Sequence, residues 1–352
     1  MFAPDINTTK NQLTDLFNEI IGVSAYSVGV QDTLIGTLPE EPDWIPAVRS
    51  EMKLLSKAGA NWMLNYSTSW AEILTAFANY GADFAAFSGE IKKNTHTLTK
   101  NQIIELLSAL SDELGSCASK TKKGLDALSG FENQFTSVFP ALNSSINSGW
   151  KELSEEEAEM VAIAEAITHL QDEISDLQSK IDSSNISGGK TFVQTNVKII
   201  YSILTAASEI AVPYLSIATL AYSIGKTFYD IISDTDKINE KLLKIGNLQM
   251  KASEEAQAAA ATKSVIQYLY NIEIQFLSLK KHGTGLMIMW KDEKSKIDEA
   301  INAINAGADP ASFLDILTMN IANNNWDALL KYTQQILNIH REYGPAVNLK
   351  TN

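Results

Sequence analysis

The tetrapeptide Gly-Lys-Thr-Phe occurs twice, at 189–192 and 225–228. Gly-Lys-Thr closes a phosphate-binding loop, in which backbone N–H groups and the lysine hold a nucleotide's phosphates. That loop needs another glycine five positions before the Gly-Lys pair. Those positions hold Ser184 and Leu220. A phosphate loop also follows a buried strand, whereas a heptad-patterned stretch precedes one copy and an apolar stretch the other. The spacing argues against a nucleotide site.

Other chemistry is equally unsupported. The histidines are His96, His169, His282 and His340, and none has another at the i+3 or i+4 spacing of a helical metal motif. No metal or cofactor is expected. Cys117 is the only cysteine, which rules out an intramolecular disulfide and reads as a small core residue. The acidic run "ELSEEEAE" at 152–159 reads as a helix start, with Ser154 as cap and Glu157 closing a capping box. No Gly-x-Ser-x-Gly elbow occurs, and no pattern brings two carboxylates into a pocket. The chain is not expected to be an enzyme.

The elements that would position any site are helices. In 62–91 the residues Trp62, Tyr66, Trp70, Ile73, Phe77, Tyr80, Phe84, Phe87 and Ile91 step by fours and threes, which is one aromatic-rich stripe. The stepping recurs from Ile103 through Cys117, Thr121, Gly124, Leu128 and Phe135 to Leu142, and again from Ile163 to Ile181. Such heptad seams belong to helices packed lengthwise. They predict one helix over most of 100–185, kinked but not ended by Pro140. Residues 6–35 read as a first helix, followed by a loop to Trp44. A stripe restarting at Ile238 continues to Lys281, with a break expected at "HGTG", 282–285. In "NAGADPASF" glycine ends a helix, and Asp309 caps the next, with Pro310 first, running from Ala311 to about Glu342. No strand alternation stands out. The expected fold is all-α: an elongated bundle of about five long helices formed by 1–187 and 233–352, with an apolar helical-hairpin head at 188–232.

The net charge of −14 and pI near 4.8 disfavour nucleic acid as a partner. They leave a membrane open, because apolar insertion needs no basic patch. The N-terminus "MFAPDINTTKNQLTDLF" lacks a basic stretch followed by an apolar run. No cleavable signal peptide is expected, so the protein is cytoplasmic or exported by a route that leaves no such mark.

The head carries the functional reading. Residues 199–225 are 27 in a row with one charge, Glu209. A single spanning helix would place that carboxylate mid-membrane, with Pro213 just beyond it. A turn at about 208–213 avoids both. It leaves helical arms at 192–207 and 213–232, about 24 and 30 Å long against a hydrocarbon thickness of ~30 Å. The first arm brings Phe192, Val193, Val197, Ile199, Ile200, Ile203 and Leu204 to the membrane. The second, after Ile210 and Val212, brings Pro213, Tyr214, Leu215, Ile217, Leu220 and Ile224. Glu209 is at the tip. Gly188, Gly189 and Gly225 are expected hinges, and Lys190 and Lys226 suit the headgroup interface. A buried hairpin in a soluble core is the alternative, but its arms would show apolar stripes, not apolar residues on nearly every face.

A heptad-rich helical chain with one central apolar hairpin at 192–232, then "MWKDEKSKIDEAI" and "NNWDALLKYTQQI", resembles the cytolysin A (haemolysin E) superfamily of bacterial α-pore-forming toxins. Its members include tripartite toxins of Bacillus, Aeromonas and Serratia and binary toxins of Xenorhabdus and Yersinia. The resemblance implies a soluble extracellular monomer that hides the hairpin, then inserts it in a target-cell membrane and oligomerises, with one or two related components. Two apolar arms look most like the pore-building B component. The weak polar face, Ser202, Thr205, Ser216, Thr219, Ser223 and Thr227, departs from what a channel lining needs. Two other classes share parts of the pattern: a type III secretion translocator, and a soluble helical scaffold with no membrane role.

Overall fold

A computed structural model describes residues 2–32, 34–35, 43–94, 97–156, 192–203, 212–222, 254–337 and 342–343. The helices are α1 (Ile6–Asp32), α2 (Ile45–Asn94), α3 (Lys100–Ser129), α4 (Glu132–Thr136), α5 (Phe139–Glu156), α6 (Glu254–Asn305) and α7 (Ile316–Leu337). A short 3₁₀ turn, Pro310–Ser312, precedes α7. Four strands complete the described elements: β1 (Leu34–Ile35), β2 (Phe192–Ile203), β3 (Val212–Tyr222) and β4 (Glu342–Tyr343). The class is all-α, as the periodicity requires.

The chain divides into two compact units, Met1–Phe17 with Tyr66–Ser129 and Leu277–Asn338, and Asn18–Asn65 with Gly130–Phe276 and Ile339–Asn352. Each has an aromatic centre. In the first, Phe77 and Tyr80 of α2 meet Trp290 of α6 and Trp326 of α7, with Tyr80 edge-on to Trp326 at 4.5 Å between centroids and Trp290 stacked on Trp326 at 5.8 Å. The indoles are polar at one edge and need acceptors when buried. Trp290 Nε1 donates to Thr121 Oγ1 at 2.9 Å, and Trp326 Nε1 donates to the Phe2 carbonyl at 2.9 Å. Thr121 is thus a polar seam residue because it serves the tryptophan opposite it. In the second unit Trp62 lies edge-on to Phe131 and Phe276 and donates to Ser24 Oγ at 2.9 Å.

Every residue of the 62–91 stripe is buried on α2. The 103–142 stripe is buried as well, but it is carried by α3, α4 and α5 in place of one helix. Pro140 explains the last break. Its ring would meet the carbonyl four residues back. That residue is Thr136, where α4 ends, and α5 begins at Phe139 so that Pro140 sits in a first turn. Phe135, Val138, Leu142 and Ile146 stay buried across the break. The expected break at "HGTG" is absent, since α6 is continuous from Glu254 to Asn305. A seam of Ile272, Phe276, Leu279, Gly283, Leu286, Trp290, Glu293, Ile297, Ala300 and Ile304 runs through it, buried throughout. A Cβ on Gly283 would lie 2.6 Å from Leu125 Cδ2, so this glycine makes room for a neighbour and does not end the helix.

Gly307, at φ +107°, ends α6 as expected, and Asp309 Oδ1 accepts from Ala311 N at 3.0 Å. That cap holds only the 3₁₀ turn. The last helix starts at Ile316, not Ala311, where Asp315 Oδ2 accepts from Thr318 N at 2.9 Å. Ser154 lies inside α5, fifteen residues after the helix begins at Phe139, so no helix starts there; Glu157 and the 163–181 stripe fall outside the described residues. The start of α3 does hold a capping box, with Gln102 N donating to Thr99 Oγ1 and Thr99 N donating to Gln102 Oε1.

Candidate functional site

The two apolar arms are described as strands, which corrects the expected helix pair. β2 and β3 pair antiparallel from Phe192↔Tyr222 to Ser202↔Val212. Register sets which residues share a level of the ribbon: Val197 lies opposite Ile217, Ile199 opposite Leu215, and Tyr201 opposite Pro213. Alternation was present in the sequence. Odd positions of β2 hold Val193, Thr195, Val197, Ile199, Tyr201 and Ile203, while even positions include Gln194, Asn196, Lys198 and Ser202. It is obscured because Phe192 and Ile200 interrupt it and because β3 is apolar on both sets of positions. β-branched and aromatic residues dominate β2, as strands favour.

Of the residues expected to meet a membrane, Phe192, Val193, Val197, Ile199, Ile200 and Ile203 are on β2, and Val212, Pro213, Tyr214, Leu215, Ile217 and Leu220 are on β3. Leu204, Glu209, Ile210 and Ile224 lie outside the described residues, as do Gly188, Gly189, Gly225, Lys190 and Lys226. The connection at 204–211 contains the expected tip. No described helix is long and apolar enough to cross a membrane.

The ribbon is the middle of a four-stranded sheet in the order β1-β2-β3-β4. β1 runs parallel to β2, with Leu34 opposite Ser202 and Ile35 opposite Ile203. β4 runs antiparallel to β3, with Tyr343 opposite Ala218 and Glu342 opposite Thr219. Strands of two residues carry no periodic signal, so neither was legible beforehand.

Two residues with unusual chemistry away from the ribbon, Cys117 and Glu293, are core groups. The Cys117 thiol is buried, donates to the Ala76 carbonyl at 3.2 Å, and is pushed up to about 12, first by burial and then by Glu113. Glu293, on the α6 seam, is 2 % exposed. Burial raises its carboxyl above the usual range, and Lys296 Nζ, 2.5 Å away, offsets only part of that. His282 Nδ1 lies 3.5 Å from Asp15. Among the described residues no group of histidine, cysteine and carboxylate side chains could hold a metal ion.

Helices with heptad seams interrupted once by an apolar ribbon have the fold of α-pore-forming toxin components. SmhA of the tripartite α-pore-forming toxin Smh from Serratia marcescens superposes with a TM-score of 0.75 at 13 % identity, over 96 % of this chain and 95 % of that one. The Bacillus cereus HblL1 toxin component does so with a TM-score of 0.75 at 14 % identity, over 95 % and 97 %. The profile of the Bacillus haemolytic enterotoxin (HBL) family matches residues 31–177. The cytotoxin MakB from Vibrio cholerae is 30 % identical, with a TM-score of 0.75 over 96 % of this chain and 94 % of its own. No curated protein sequence matches. The chain belongs to the toxin family that includes MakB, and it shares the fold of the Smh and HBL toxin components.

Proposed function

We propose that the protein is a secreted toxin subunit that inserts its apolar arms, within 188–232, into a target-cell membrane, oligomerises, and forms a lytic pore with one or two related components. The observation that carries this is the run 199–225, with one charge in 27 residues, in a chain whose mean hydropathy is only −0.07. The pore-building role rests on those arms and not on the fold, which is shared with SmhA.

The ribbon cannot enter hydrocarbon as it stands. Beyond the two short flanking pairings, the outer edges of β2 and β3 have no strand partner among the described residues, and unpaired backbone N–H and C=O groups each cost several kcal/mol in lipid. Each arm must form its backbone bonds within itself, as a helix, or join a closed barrel. Helical arms of about 24 and 30 Å suit a ~30 Å core. In this reading Glu209 reaches water at the far side, Lys190 and Lys226 stay at the headgroups, and Gly188, Gly189 and Gly225 accommodate the bend.

Dye release from liposomes, alone and with candidate partner components, tests the reading. Release is expected, together with a gain of helical far-UV circular dichroism on membrane binding, and deletion of 199–225 should abolish both. Neither binding nor release in any mixture would refute it. Gly189→Ala and Gly225→Ala should slow insertion, and unchanged lysis in both removes the hinge role.

A further inference from the structure

We infer that β1 and β4 form a two-point clasp that holds the apolar ribbon in its strand form, and that loss of the β4 pairing is what frees the arms to refold. The clasp rests on the insertion proposed above for its purpose, but not for its existence.

A two-stranded hairpin alone is marginal in water, and three or more strands are needed for independent stability. β2 and β3 reach four strands only through two short segments from distant parts of the sequence. The attachments are on opposite edges and at different levels. β1 pairs at Ser202–Ile203, beside the 204–211 connection. β4 pairs at Ala218–Thr219, which the ribbon register sets opposite Asn196 and Thr195. Seven residues separate Ser202 from Thr195, about 23 Å along the strand. One attachment therefore secures the C-terminal end of β2 and the other the opposite half of the ribbon, so neither strand can leave without breaking a pairing on its own outer side. Each pairing spans two residues, which makes it weak enough to open. Pro213, which lacks an N–H, lies on β3 where no flanking strand pairs. The uncovered edge is thereby blunted against further strand addition.

β4 is the releasable half. β1 follows α1 after one residue, whereas β4 follows α7 after four, 338–341. Opening β4 leaves a three-stranded sheet with β3 as a bare edge, the strand with the fewer polar residues.

The test uses the full chain in solution, without lipid. In E342P/Y343P two residues that cannot donate and that hold φ near −65° replace β4. Amide hydrogen exchange over 212–222 should accelerate about tenfold or more, with the helical circular dichroism unchanged. In T219C/E342C the directly opposed positions lie about 4.5–5.5 Å apart at Cα, within disulfide range. Oxidation should close the cross-link, slow that exchange, and block helix gain on liposomes until dithiothreitol reverses it. Cys117, buried and protonated, does not compete. Unchanged exchange in the proline variant, or failure of the cysteines to cross-link, overturns the clasp. If exchange responds as expected but liposomes never elicit helix or release, the clasp stands and the membrane role falls.

Discussion

Gly124 offers a direct test of how α3 meets α2. A Cβ built there would lie 2.7 Å from the Ser69 carbonyl oxygen and 2.8 Å from Ile73 Cγ1. The first of these is backbone, inside a helix, and cannot turn aside. Gly124→Ala gains about 1 kcal/mol of helix propensity. Forcing a methyl into a filled seam costs about 1–3 kcal/mol, and the contact with fixed backbone places the cost at the upper end. The net expectation is a loss of about 1–2 kcal/mol. Gly89→Ala is the control, since a Cβ there meets nothing within 4 Å. It keeps the propensity gain and should stabilise by about 0.5–1 kcal/mol. Urea titrations followed by far-UV circular dichroism should rank Gly89→Ala above wild type and wild type above Gly124→Ala. A Gly124→Ala protein as stable as wild type would refute the close approach.

Ser24→Ala removes the acceptor of the buried Trp62 Nε1 and should cost about 1–3 kcal/mol by the same titration, because a buried donor is left unpaired. Glu293 has its carboxyl raised above 4.5 by burial. The folded state therefore binds more protons than the unfolded chain above pH 4.5, and this group's contribution to stability falls as pH rises toward neutral. Glu293→Gln should flatten that fall and stabilise the protein at pH 7 relative to pH 5; an unchanged pH profile would count against the burial of this carboxylate. With its thiol pushed up to about 12, Cys117 should resist a thiol-specific disulfide reagent at pH 8 in the native protein and react fully in denaturant. Rapid native labelling would contradict its core position.

Heptad stepping was legible because it is local. A residue's place on a helix depends on its number alone, so the 62–91 and 103–142 stripes marked buried faces before any neighbour was known. The same signal runs through Gly283, but glycine reads locally as a breaker. Only the Leu125 side chain, 158 residues away in sequence, shows what the missing Cβ is for. Thr121 is a polar member of its stripe, and only the folded chain shows that it accepts from Trp290 Nε1. At Pro140 the rule that ends a helix was in the sequence, and a kink was expected where a full break occurs.

The sequence alone determined that this chain is helical, that its seams pack lengthwise, that no nucleotide loop or helical metal motif is present, and that 199–225 is the segment out of place in an acidic protein. It also suggested a turn at about 208–213, since Glu209 and Pro213 each disfavour an unbroken span; Val212 and Pro213 are on β3, and 204–211 lie outside the described residues. Tertiary structure decided the form those arms take. Ile, Val and Tyr in both arms serve a helix in lipid or a strand in a sheet, so composition does not choose between them. In this fold the choice falls to partners for the outer edges, and those are Leu34–Ile35 and Glu342–Tyr343, both far in sequence from the strands they flank. Backbone pairing of that kind is blind to side-chain pattern, and for that reason only the folded chain reveals it.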